Sequence, residues 1–193
     1  MTQESDNREQ AKQYMRHQAA KGLADLAALM ERTGADWQCC LEGMTEEQAA
    51  YRPRVEASET KTPISGEGPK WCAKEAIGHF LLTECSLNWQ IASFAGVAPP
   101  AGPAPDVKTM GEQSPEYEAL PVPELSRELK AFFDETRALL SSLPASGSLG
   151  KSFPHPVFGP LNMKEWLAFH RLHTADHIQQ IEKVKADPGY PRA

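Results

Sequence analysis

Between Asn7 and Leu41 apolar residues recur at helical spacing, with Leu23, Leu26, Met30 and Trp37 set among Ala, Gln, Glu, Lys and Arg, all good helix formers. The spacing predicts one long first helix over about 7–41, broken by Gly43. Thr45 ahead of Glu46 and Glu47 predicts the cap of a short helical turn that Pro53 closes, and the stretch 55–70 has no apolar period and reads as loop. A second helix is expected over 71–95, ended by Gly96 and the pair Pro99 and Pro100. From Val97 to Pro123 seven prolines exclude a continuous helix and disfavour a central strand, so 97–122 is read as an irregular strap that crosses the molecule. The third helix, about 123–143, carries Leu125, Leu129, Phe132, Phe133, Leu139 and Leu140 on its apolar side. The fourth, about 162–186, opens on Asn162 with Glu165 three residues later, an Asn-led capping box.

Four helices and no convincing strand predict an all-α four-helix bundle, taken as one domain over 1–193. The long crossover between the second and third helices lets those two run parallel, which gives an up-down-down-up order. Composition changes this picture only by exclusion. The 193 residues are 40% hydrophobic and 24% charged, ordinary for a globular chain, and a formal charge of −6 argues against a nucleic-acid partner. No apolar run is long enough to cross a membrane and the polar start lacks a signal-peptide core, so a soluble, cytoplasmic protein is expected. Cys39, Cys40, Cys72 and Cys85 form no Cys-x-x-Cys and are read as reduced thiols.

The chemistry lies in the histidines. Of six, three fall within eight residues: His170, His173 and His177. At 100° per residue His177 and His170 lie about 40° and 60° from His173, on the face that carries Met163, Trp166, Ile181 and Val184, whereas Lys164, Arg171, Ala175 and Glu182 lie opposite. Three imidazoles on an inward face are costly unless hydrogen-bonded or ligated. One reading is a set of core histidines satisfied by hydroxyls, amides and water. The other is a metal site, because His173 and His177 stand one turn apart and can converge on one ion. A third ligand should then come from another helix. His79 is the candidate: on the second helix it lies between two apolar sectors, in line with Thr83, Ser86 and Gln90. In antiparallel helices the depths agree, with His79 about 24 Å from one helix end and His173 and His177 about 17 and 23 Å from the other.

The segments 155–181 (HPVFGPLNMKEWLAFHRLHTADHIQQI) and 71–84 (WCAKEAIGHFLLTE) resemble the DinB-like superfamily of metal-binding four-helix bundles, which includes the YfiT-type hydrolases. The resemblance implies a divalent metal, zinc or nickel first, held by His79, His173 and His177, and Gln180 after the pair fits the same pattern. Cys72 stands where relatives often have a Ser or Thr cap, and Asp176 where many have a further histidine. His170 is additional and is expected behind the ligands, although its spacing from His173 also permits ligation. The superfamily holds hydrolases and enzymes that use low-molecular-weight thiols. Three ligands leave a position open, where the ion could lower the pKa of a bound water or bind a substrate thiolate. Two function classes stay open: a metal-dependent enzyme, thiol S-transferase or hydrolase, acting on a small molecule, and a metal- or ligand-binding bundle without turnover. A homodimer is a modest expectation from the family alone.

Other candidates carry less. Glu75, on the His79 side of its helix, could accept a proton but is more simply a capping or solvated residue. Cys72 sits at a helix N-terminus that could lower its thiol pKa. Cys39 and Cys40 are read as packing residues, His17 as a surface residue, Phe158 as a plug at one bundle end, and His155 as a loop residue with a smaller claim to face a substrate. The strap is expected to line the pocket entrance.

Overall fold

The computed structural model describes residues 3–53, 71–100, 114–144, 150–155 and 157–192. Seven helices occur among them: α1 (Gln3–Ala19), α2 (Leu23–Leu41), α3 (Glu46–Ala49), α4 (Ala73–Ala95), α5 (Pro115–Glu118), α6 (Val122–Ser142) and α7 (Met163–Lys185), with a two-stranded hairpin, β1 (Ser152–His155) and β2 (Gly159–Asn162), just before α7.

The long helices α2, α4, α6 and α7 make an all-α four-helix bundle. Their directions follow from which residues meet. Going along α4, His79, Glu84 and Asn88 meet His177, His173 and His170 in descending order, so α4 and α7 are antiparallel. Trp37 bonds Thr174 while Lys185 bonds the carbonyl of Cys40, so α2 and α7 run parallel. Gly34 faces Phe133 and Gln38 bonds Ser126, so α2 and α6 are antiparallel. Phe80 meets Phe132 and Asn88 meets Thr136, so α4 and α6 are parallel. This is the up-down-down-up order, with α2 and α4 each packed against both α6 and α7.

The apolar periodicity becomes one core. Trp37, Phe80, Leu26, Met30, Ile77, Leu129 and Met163 are fully buried at its centre. Trp37 and Phe80 are in tilted contact, 5.1 Å between ring centroids, and join α2 to α4 across the bundle. The termini are set by local chemistry. Gly96 ends α4 with φ +73°, a left-handed conformation that glycine adopts without a Cβ clash. Asn162 caps α7 by accepting from the N–H groups of Lys164 and Glu165, and Glu165 accepts in return from the Asn162 N–H, the box read from the sequence. Thr45 caps α3 with Gln48 as its reciprocal partner.

Three expectations are corrected. The first helix is not continuous over 7–41. It breaks at Ala20–Gly22 because Gly22 takes an extended conformation and its N–H is held by the Asp25 carboxylate, which starts α2 afresh. The stretch read as strandless holds the hairpin β1–β2, in which Phe153 pairs Leu161 and Gly159 turns the chain with φ +73°. The strap is not irregular throughout: Ser114 and Tyr117 of its last part pack on Gly78, where a Cβ would lie 3.1 Å from the Tyr117 Cβ, so α5 docks one residue from His79. The rest of the strap (101–113) and the loop expected over 55–70 lie outside the described residues.

Candidate metal centre

His79, His173 and His177 are all buried, and one ligand atom from each falls within 4.8 Å of the others. The first comes from the second turn of α4 and the other two from successive turns of α7. The rings crowd together, with centroids 5.4 Å apart for His79–His173, 5.0 Å for His79–His177 and 4.5 Å for His173–His177. Trp71, immediately before α4, lies against His79 and stacks parallel to His177, and Phe80 and Phe169 flank His173.

The hydrogen bonds decide which nitrogens face inward. His173 meets the Glu84 carboxylate through Nδ1, and His177 meets the Gln180 side-chain oxygen through Nδ1 at 3.1 Å. A carboxylate or amide oxygen can only accept, so each Nδ1 carries a hydrogen and each Nε2 is the nitrogen turned toward the cluster. Those two Nε2 atoms lie 2.9 Å apart. At that distance the two nitrogens either share a proton or face one cation between them. Zinc–imidazole bonds of about 2.1 Å meeting at about a right angle give that separation. The partners behind the rings fix tautomer and orientation, as outer groups commonly do at metal sites. The pKa of His177 lies well below the ordinary imidazole value, first because it is buried and then because His173 and His79 face it, so its ring is neutral and available as a donor.

Glu84 was not singled out from the sequence. It is fully buried on α4 and bridges His170 and His173 with its two oxygens. Burial alone would raise its pKa, but the facing His170 and then His173 outweigh it and hold the carboxyl well below the usual carboxylate range. The signal available was a glutamate five residues after His79 in an apolar stretch. Only the register between α4 and α7 shows what it meets.

His170 lies behind the three-histidine cluster: one ring nitrogen meets Glu84 and the other lies 3.1 Å from the Asn88 oxygen. Of the strip aligned with His79, Ser86 bonds the Leu82 carbonyl, whereas the buried Thr83 hydroxyl, one turn from His79, has no hydrogen-bond partner among the described residues.

Several lesser candidates are engaged elsewhere. Glu75 is buried, accepts from the Cys72 N–H at 2.9 Å and pairs with Arg52 at 2.6 Å, so it is a capping residue of α4. This bond replaces the side-chain cap that Cys72 does not make. Burial pushes the Cys72 thiol up to about 11, the opposite of an activated nucleophile. His155 accepts from the N–H groups of Val157 and Phe158 through Nδ1, which ties it to the hairpin turn. Phe158 is buried against His155 and Phe169. Cys40 packs in the core and His17 is at the surface, both as expected, whereas Cys39 is exposed and not a packing residue.

The DinB superfamily family model matches residues 29–181, which takes in α4, α7 and all three histidines. The chain belongs to the DinB superfamily. The uncharacterized protein YuaE of Bacillus subtilis (strain 168) is 21% identical over 156 residues, spanning 75% of this chain and 88% of YuaE. Within this DinB-superfamily fold the three histidines form a group that could hold a metal ion. Among the described residues no helix is long and apolar enough to cross a membrane.

Proposed function

We propose that this DinB-superfamily chain is a metal-dependent enzyme of the thiol S-transferase or hydrolase type, in which His79, His173 and His177 hold one divalent ion, zinc or nickel first, and a small molecule takes its open position. The observation that carries the reading is the convergence of one nitrogen from each of His79, His173 and His177 within 4.8 Å, with the Nδ1 atoms of His173 and His177 engaged outward.

An ion held there supplies Lewis acidity to whatever occupies its open position. The rest is the work of the chain. Glu84 and Gln180 hold the two α7 rings in the ligating tautomer, and Trp71, Phe80 and Phe169 keep water away from the donors and strengthen their electrostatics. Thr83, with an unpartnered buried hydroxyl one turn from His79, can give or accept a hydrogen bond to the bound molecule. Because Glu75 and His155 are committed to structural bonds, this arrangement suits a substrate that brings its own nucleophile, such as a low-molecular-weight thiol, better than one that needs a protein base. The same commitment favours a second reading, a metal-binding bundle without turnover.

Metal analysis of purified wild type, His79→Ala and His177→Ala tests the site. One ion per chain is expected in the wild type and near none in either variant, and unchanged content in either variant removes the assignment. Turnover of a thiol with an electrophile by the loaded wild type, absent from both variants, separates the enzyme from the inert bundle.

A further inference from the structure

Buried hydroxyls elsewhere in the long helices find partners. Thr33, Ser86 and Thr136 each donate to the carbonyl oxygen four residues back, of Leu29, Leu82 and Phe132, at 2.7, 2.8 and 2.8 Å, and Thr174 accepts from the Trp37 indole. Thr83 is buried too, only 9% exposed, yet its hydroxyl has no partner among the described residues. A threonine in a helix reaches the carbonyl four residues back by turning one side-chain bond. Leaving a buried hydroxyl unpaired is costly. The bond to the His79 carbonyl is therefore open to Thr83 and is not made.

Thr83 stands beside the metal centre. With His79 at zero on the α4 wheel, Thr83 lies at about 40°, Phe80 at about 100° and Glu84 at about 140°. The two ends of that arc both face α7: the His79 ring meets His173 and His177, and the Glu84 carboxylate meets His173 Nδ1. Phe80, inside the arc, meets the same two rings. Thr83 is inside it as well, one turn, about 6 Å, along the helix from His79.

We propose that Thr83 determines which ligand the centre accepts, by hydrogen-bonding a polar group two carbons from the ligand's metal-bound atom. This role rests on the metal reading above and deepens it. An ion selects the atom it binds, a thiolate sulfur for instance, and Thr83 selects what that atom carries. A hydroxyl both donates and accepts, so the fitting class is a small thiol with a hydroxyl or amino group on its second carbon. A plain alkyl thiol would leave the Thr83 hydroxyl unpaired, which is how a site rejects an analogue that lacks one polar group. Phe80 and Phe169, which flank His173, supply no polar contact of their own.

Thr83→Val, which keeps the shape without the hydroxyl, and Thr83→Ser, which keeps the hydroxyl, test this in two ways. In metal-free protein Thr83→Val should unfold at an equal or higher urea concentration than the wild type, because the fold draws no bond from the hydroxyl. A lower midpoint, or a variant that does not fold, overturns the proposal, since the hydroxyl would then be a structural group. In Co(II)-loaded protein the probes are β-mercaptoethanol and n-propanethiol, which differ only by a hydroxyl against a methyl, with binding followed by the sulfur-to-cobalt charge-transfer band. The ratio of their affinities should shift toward propanethiol by about fivefold in Thr83→Val and stay near the wild-type value in Thr83→Ser. Co(II) uptake with the same ratio in all three proteins, the result if the hydroxyl holds only a water, or with neither thiol bound, overturns the role of Thr83 and leaves the metal site standing. No Co(II) uptake by the wild type removes the metal reading, and the role of Thr83 with it.

Discussion

The seam between α2 and α6 and the seam between α4 and α7 belong to one bundle and are built on opposite principles. Where α2 meets α6, Gly34 lets Phe133 approach so closely that a Cβ would lie 3.2 Å from its ring, and Leu26, Met30 and Leu129 fill the space around it. The polar contacts there, between Gln38 and Ser126, sit at the exposed edge. Where α4 meets α7, Glu84, Asn88, His170, His173 and Gln180 are buried, and each makes a directed bond. Burying apolar surface is non-directional, whereas a buried polar group needs its own partner at the right atom. A buried ionic cluster rarely stabilises more than well-packed hydrophobic residues of the same volume. The second seam therefore makes sense as the support of a site, and the first as the source of stability.

The comparison is broken most directly at Glu84. Glu84→Leu leaves two imidazole N–H groups without their acceptor, and about 4 kcal/mol of stability should be lost in urea unfolding. Metal affinity should fall by about ten- to a hundredfold in the same variant. Equal stability with unchanged affinity would show that the polar seam does not depend on this carboxylate. Phe133→Ala on the other seam should cost about 3 kcal/mol by the same unfolding measurement, yet leave one ion per chain by metal analysis. A loss of metal there would erase the division between the seams.

A third test sharpens the comparison at the hairpin. His155 is buried, and that burial, followed by the neighbouring His173, lowers its pKa to about 4. Its folded value lies below the unfolded value, so it contributes stability at neutral pH that is lost as pH falls from about 6.5 to 4, up to about 3 kcal/mol. His155→Gln, whose amide oxygen can still accept from the turn, should flatten urea-unfolding stability over that range. An unchanged slope would mean that this ring does not drive the acid sensitivity.

How much could be read from the sequence differs between these parts. The second, third and fourth long helices were legible because apolar spacing, Gly96, Pro123 and the Asn162–Glu165 pair are local signals. The break at Gly22 was missed because Leu23, Leu26 and Met30 keep a helical period through it, and the deciding bond to Asp25 spans only three residues. The hairpin was missed because its strands are four residues each, too short for alternation to register. The cluster of His79, His173 and His177 was legible because two of the three share one helix face and the third could be placed by depth.

The sequence alone determined the all-α bundle, the caps and the identity of the histidines that converge, since each depends on periodicity and chemistry within a few turns. Only the tertiary structure decided what stands behind those histidines: Glu84 between His170 and His173, Asn88 oriented by Thr136, and Gln180 on His177. The reason is physical. A helix fixes angles along its own axis, but hydrogen-bond partners on two helices depend on how far one has slid and turned against the other, and that register is set by the packing of the whole core.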